Sequence, residues 1–419
     1  MPGMKSEKII YVYADWMSTE PRLMGRLYVS ESRGKEIFSF EYDESWLNKD
    51  WGLFFDPDLY LYAGRQYAPM DKNQFGIFSD SSPDRWGRTL MNRREAIHAR
   101  KEKRKPRKLT ESDYLLGVYD ATRMGALRFS LEENGVFLSD DTELAAPPWT
   151  TLRALEAASL SFEEGGADSD EEKWLKQLVA PGSSLGGARP KASVEAPDGA
   201  LWIAKFPSRQ DEENVEAWEM VVHELAAECG INVPEAKLES FHDRRGTFLV
   251  KRFDRNGNRR IHFSSAMNLL GQTDGTADGG YLDIASFIRS YGANPREDLA
   301  ELWKRVVFSI AVSNTDDHLR NHGFLLTDGG WRLSPIYDVN PSIYGNSLSL
   351  TISREDSTMD FKLAIDTAKY YDISNEKARS LVKEIKAVVS EKWKTIAKQC
   401  GLDRSAIVRM EPAFSMDYK

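Results

Sequence analysis

Two acids and an amide have the residue types and the spacing to do chemistry. Asp316 and Asn321 stand five apart in Ser313-Asn-Thr-Asp-Asp-His-Leu-Arg-Asn-His-Gly-Phe324, and Asp338 follows seventeen residues after the Asn in Ser334-Pro-Ile-Tyr-Asp-Val-Asn340. Phosphoryl transfer needs these functions: a carboxylate to orient the attacking hydroxyl, an amide oxygen on a divalent cation, and a second carboxylate to complete the metal shell. Any one of these residues alone reads as a loop residue, because Asp and Asn suit turns. His318 and His322, with Asp316 and Asp317, offer a rival cluster, that of a metal-dependent phosphohydrolase. Histidines four apart bind zinc on a continuous helix, however, and the segments flanking this run read as loop.

Upstream elements must bring a nucleotide to that trio. Lys205 ends the apolar strand-like run Leu201-Trp-Ile-Ala-Lys205, where its buried stem demands an anion for the ammonium. The helix-like stretch from Asn214 to Cys229 offers Glu216, Glu219 and Glu224 as partners, with Glu219 preferred and the others left open. A strand lysine paired with a helix glutamate grips the nucleotide phosphates in protein kinases, whose catalytic loop also has the Asp-to-Asn spacing seen here. No His-Arg precedes Asp316, and Val339-Asn340 follows Asp338 instead of Phe-Gly, which disfavours an ordinary eukaryotic-type kinase. In Gly182-Ser-Ser-Leu-Gly-Gly-Ala-Arg-Pro-Lys191, the glycines Gly186 and Gly187 before Ala188 let backbone N–H groups approach a phosphate, although no Walker pattern closes the loop.

The rest of the chain supplies scaffold. Period-two runs at 9–13, 25–30 and 36–42 predict a small sheet, followed by a helix over 83–97 with Ser82 as N-cap and Pro83 in its first turn, and Tyr114–Tyr119 packed beside it. Strands are expected again at 191–195, 201–206 and 248–253 around the 214–229 helix, which Gly230 ends. Helices follow at 281–291, 295–312 and 375–399, the last with Ala378, Leu381, Val382, Ile385, Val388, Val389 and Ile396 on one stripe. This order predicts an α+β, bilobal, protein-kinase-like fold, with a β-rich small lobe, an all-helical large lobe and an extra N-terminal α/β subdomain. The expected boundaries are 1–145, 146–255 and 256–419.

The 419 residues are 41% hydrophobic and carry a net charge of −9. No apolar run is long enough to span a membrane, and the N-terminus shows no signal-peptide core, so a cytoplasmic protein is expected. Cys229 and Cys400 imply neither a disulfide framework nor a zinc site. Nine Lys or Arg against two Glu between Arg93 and Lys108 read either as a solvated helix end or as a contact for a phosphate-rich partner.

The chain resembles the HipA family of bacterial toxin serine/threonine kinases. The resemblance is carried in order by Ser81-Ser-Pro-Asp-Arg-Trp-Gly87, the glycine loop ending at Lys191, the hinge-like Val250-Lys-Arg-Phe-Asp-Arg255, and the Asp316–Asn321 and Asp338 segments. It implies ATP and Mg²⁺ as cofactors, with Asp316 catalytic, Asn321 and Asp338 on the metal, and Lys205 as the ATP lysine. Glu219, Gly186, Gly187, Ala188 and the hinge residues Lys251 and Phe253 would surround the nucleotide, and Ser184 would be an autophosphorylation site that switches the enzyme off. It further implies a protein substrate, such as an aminoacyl-tRNA synthetase, and a DNA-binding antitoxin partner, with the 93–108 run as a weak or indirect operator contact. Two departures stand out: Arg189-Pro190 where the family often has Gln-Glu, and His262-Phe-Ser-Ser-Ala266 in place of His-Gln-Glu-Asp. A non-catalytic co-repressor subunit is the rival reading of another class.

Overall fold

A computed structural model describes residues 7–48, 54–142, 145–163, 178, 187, 189–241, 245–273 and 279–416. Its contacts fall into two units, Met1–Trp202 with Asp254–Ser264, and Ile203–Phe253 with Ser265–Lys419.

In the first unit, β1 (Lys8–Ala14), β2 (Arg22–Ser32), β3 (Lys35–Tyr42), β4 (Gln66–Tyr67) and β5 (Leu127–Ser130) form an antiparallel sheet in the order β4-β3-β2-β1-β5. The register sets Leu27 against Phe40, and Phe40, Phe78 and Phe129 meet ring to ring in the core. Burying each such ring contributes about 1.5–3 kcal/mol. Helix α1 (Arg85–Lys101) begins two residues later than the sequence led us to expect. Its N-cap is Asp84, not Ser82: the Asp84 carboxylate accepts from Gly87 N at 2.8 Å, so Pro83 lies outside the helix. Short α2 (Glu111–Leu116) starts with a capping box built by Thr110 and Asp113, and it docks on α1 through the two-pronged Arg88–Glu111 ion pair and an Asn92–Tyr114 hydrogen bond. Helix α3 (Leu152–Glu163) and β6 (Lys191–Glu195) belong to this unit too.

The second unit begins in β7 (Leu201–Lys205), whose sheet neighbours follow in the order β7-β9-β8, with β8 (Ala236–Glu239) antiparallel to β9 (Thr247–Lys251). The periodicity had not flagged β8. Helix α4 (Val215–Glu228), capped by Asn214, packs on β8 and β9, and Gly230 ends it in the left-handed region at φ +66°. Helices α5 (Tyr281–Tyr291) and α6 (Pro295–Val312) follow, then the hairpin β10 (Gly323–Thr327) and β11 (Gly330–Leu333), and α7 (Phe361–Thr367), α8 (Asn375–Gln399) and α9 (Arg404–Phe414). Along α8 the expected stripe buries Ala378, Val382, Ile385, Val389 and Ile396, with Trp393 added and stacked on Phe414. Leu381 and Val388 at its flank are only half-buried. Among the described residues no helix is long and apolar enough to cross a membrane.

Candidate active site

The site is built where α6 stops. Ser313 caps α6 in the left-handed conformation at φ +54°, so the chain turns at once into the loop carrying Asp316 and Asn321. The antiparallel β10–β11 hairpin then returns the chain, and Ser334 N donates to Gly323 O at 2.8 Å. Arg305, wholly buried in α6, donates to Ser334 O at 2.7 Å and to Glu301, while Ile336 N donates to Asn232 O at 2.9 Å. These bonds fix the segment that ends in Asp338. That residue sits at φ +57°, a backbone conformation costly for a non-glycine residue and tolerated where the surroundings hold it.

Two of the expected acids converge on the expected lysine. Lys205 Nζ lies 2.6 Å from Glu219 Oε1 and 2.6 Å from Asp338 Oδ1. Burial alone would lower the Lys205 ammonium, but Asp338 and Glu219 outweigh it and hold it well above its ordinary value. The three glutamates left open by the sequence are thereby separated: Glu219 takes the lysine, and Glu224 is exposed.

Asn321 ties the catalytic loop to Asp338. Its Nδ2 donates to Asp316 O at 3.0 Å and, more weakly, to Asp338 O at 3.5 Å. Its Oδ1 is buried with no hydrogen-bond donor among the described residues. An orphaned amide oxygen beside a carboxylate is the hard-oxygen donor set that Mg²⁺ accepts, with substrate phosphates and water supplying the remaining ligands. Asn321 and Asp338 therefore fit the metal role expected of them. The Asp316 side chain reaches solvent; loss of hydration on its packed side raises its carboxyl, His318 pulls the other way, and the Asp338 and Asp317 charges add to the rise.

Asp317 and His322 do something that the spacing did not reveal. Asp317 is buried and accepts from Tyr281 Oη, from Ser309 Oγ at 3.0 Å and from His322 Nε2 at 2.8 Å. Burial would raise its carboxyl, but His322, Tyr281 and Ser309 together hold it below the ordinary range. Because 317 adjoins 316 and 322 adjoins 321, this buried pair staples the loop beneath both candidate positions. The hydrolase cluster does not form, since Asp317 and His322 are engaged with each other, and no metal-binding group of three His, Cys, Asp or Glu occurs among the described residues. Nothing in the sequence around Tyr281 marked it as the anchor.

The other expected residues are scattered. Phe253 packs against Tyr337, next to Asp338, with ring centroids 5.7 Å apart, whereas Lys251 turns to Glu235 at 3.4 Å in an exposed pair. Gly187 adopts φ +82°, where glycine is favoured. Ser184, Gly186 and Ala188 lie outside the described residues. Cys229 and Cys400 are free, and burial raises both thiols, to about 12 and about 11.

Comparison with known proteins places the chain in a family. The family model described as "HipA-like C-terminal domain" matches residues 183–393. "Putative kinase Y4mE" of Sinorhizobium fredii is 25% identical over 246 residues, covering 52% of this chain and 51% of that protein. A "Putative kinase" of Haemophilus influenzae is 27% identical over 201 residues, 42% of this chain and 58% of the relative. The chain thus spans between half and three-fifths of the length of these two curated relatives. HipA of the Shewanella oneidensis MR-1 toxin–antitoxin system, solved with HipB and operator DNA, superposes with a TM-score of 0.64 at 15% identity, covering 97% of this chain and 96% of that one, which establishes a common fold of mixed α and β. With half of its length matched by the family model, and with that fold, the chain belongs to the HipA-like family.

Proposed function

We propose that this chain is an ATP- and Mg²⁺-dependent serine/threonine protein kinase, the toxin of a toxin–antitoxin pair. The observation that carries the reading is the bridge from Lys205 to both Glu219 and Asp338, with Asn321 bonded to the backbone of Asp316 and Asp338. Glu219 would hold the Lys205 ammonium against the nucleotide phosphates, where its charge offsets the negative charge that builds during transfer. Asp316, its carboxyl raised by its surroundings, would accept the proton of the attacking hydroxyl, a contribution of roughly 10²–10⁴-fold in rate. Asn321 Oδ1 and Asp338 would hold Mg²⁺, which neutralises phosphate charge when bound. Phe253, packed against Tyr337, would line the nucleotide base side.

The finer parts of the reading rest on family membership. They are autophosphorylation at Ser184, which would add about −1.5 to −2 charge to the glycine loop and expel it, a translation protein such as an aminoacyl-tRNA synthetase as substrate, and restraint by a DNA-binding antitoxin. A cytoplasmic location, a division at about 145 and 255, and operator contact through 93–108 belong to the same proposal.

The test is incubation of the full chain with γ-labelled ATP and magnesium. Label should appear on protein, and Asp316→Asn should abolish it while the circular dichroism spectrum stays unchanged. Free phosphate without labelled protein would instead indicate a hydrolase, and neither product a non-catalytic subunit.

A further inference from the structure

The first unit contains a cavity of about 350 Å³ that the kinase reading does not use. One wall is α1, which presents Met91, Arg94, Glu95 and His98 at i, i+3, i+4 and i+7, the spacing of a single helix face. The opposite side holds Arg107 and Asp113, with Leu109 and Leu116 as apolar surface.

The carboxylates on these walls are already committed. Glu95 accepts from the Arg104 guanidinium and from Arg107 N at 2.8 Å, and Asp113 takes both arms of Arg107 at 2.6 and 3.1 Å together with Thr110 N. Arg94 differs: among the described residues its guanidinium has no hydrogen bond and no ion-pair partner, and the exposed Asp141 acts on it only through space. Partial burial disfavours its charge, and the Asp141 carboxylate offsets that only in part. The His98 imidazole, one helical turn on along the same wall, likewise has no side-chain hydrogen bond among the described residues, while its carbonyl accepts from Glu102 N.

We propose that this cavity binds a small phosphorylated molecule, with the phosphoryl oxygens on Arg94 and His98 and the remainder of the ligand on Met91, Leu109 and Leu116. The planar fork of an arginine matches two oxygens of a phosphoryl group, and imidazole supplies a further N–H. Size selects a small molecule over nucleic acid. A concavity of this volume lies in the range of small-ligand pockets, whereas the cations placed to meet a polyanion, Lys103, Lys105 and Lys108, are exposed along the neighbouring segment.

Calorimetric titration of the full chain with inorganic pyrophosphate, and separately with glucose 6-phosphate, in magnesium-free buffer tests the assignment. Arg94→Gln should weaken binding about 10- to 100-fold, the weight of a charge-assisted hydrogen-bond pair, and Arg94→Lys should restore part of it. His98→Gln should weaken it less, and labelling from γ-labelled ATP should be unchanged in all three variants. Unchanged affinity in Arg94→Gln, or a loss no greater than that of exposed Lys103→Gln, overturns the proposal. So does binding of duplex DNA alone. Should Arg94→Gln fail to fold, the His98 ring resonances of the unmodified protein decide: a shift with pyrophosphate supports the site, and no shift refutes it.

Discussion

Each unit buries a lysine at the edge of a strand, and the two are wired differently. In the first, Lys191 Nζ meets Asp84 Oδ2 at 3.0 Å with the side chains only 3% and 2% exposed. Asp84 also caps α1, and Lys191 O accepts from Trp86 Nε1 at 3.0 Å, so the pair locks a helix start to a strand start. In the second, Lys205 faces two carboxylates, and Asp338 keeps 24% of its side chain open to solvent. One cation against one anion in a closed pocket balances and has no need of a ligand. One cation against two anions, with the exposed Asp316 beside them, leaves excess negative charge at an open mouth, which favours an incoming cation. The contrast separates a buried lysine that holds structure from one that, under the proposed function, would meet a nucleotide.

Lys205→Met should break the second arrangement with the largest effect here, a loss of transfer on the order of 10³-fold in the labelled-ATP assay, as for removal of a charge-stabilising donor. Its thermal midpoint should fall less than that of Lys191→Met, because Asp338 is already partly hydrated. Lys191→Met strands the buried Asp84 carboxylate and should cost about 3–5 kcal/mol in the urea transition of the first unit. Adding Asp84→Asn removes the second charge yet keeps a good N-cap, so the double variant should recover most of that loss. If Lys191→Met silenced transfer without lowering stability, the distinction between the two lysines would fail.

The parts legible in the sequence are those set by local geometry. Asp316, Asn321 and Asp338 could be read because a tight loop and one hairpin bring them together within 23 residues. Lys205 with Glu219 was legible as strand lysine and helix acid, but the choice among Glu216, Glu219 and Glu224 needed the helix's rotation on its sheet. The boundaries of α5, α6 and α8 followed from their periodicity and caps. Contacts between distant segments were not readable: Asp84 with Lys191 is 107 residues apart in sequence, and Tyr281 with Asp317 is 36. The same gap explains the misplaced cap at Ser82, since Asp84 also takes part in that long-range pair. Asp317 and His322 looked like metal ligands because polar residues of one loop are indistinguishable until burial assigns some of them inward.

The smallest effect expected concerns the proton acceptor. The surroundings of Asp316 raise its carboxyl, as do Asp338 and Asp317, while His318 lowers it. A base is active when deprotonated, so kcat/KM should fall as pH drops through this raised value, with its acid limb above the usual carboxylate range. His318→Gln removes the opposing influence, and the limb should move further up. Stability of the first unit, where Lys191 and Asp84 lie far from His318 in sequence, should show no matching shift. A limb that moved down or stayed fixed would mean that Asp316 is not the group taking the proton, and the open carboxylates around Lys205 would then have to share that task.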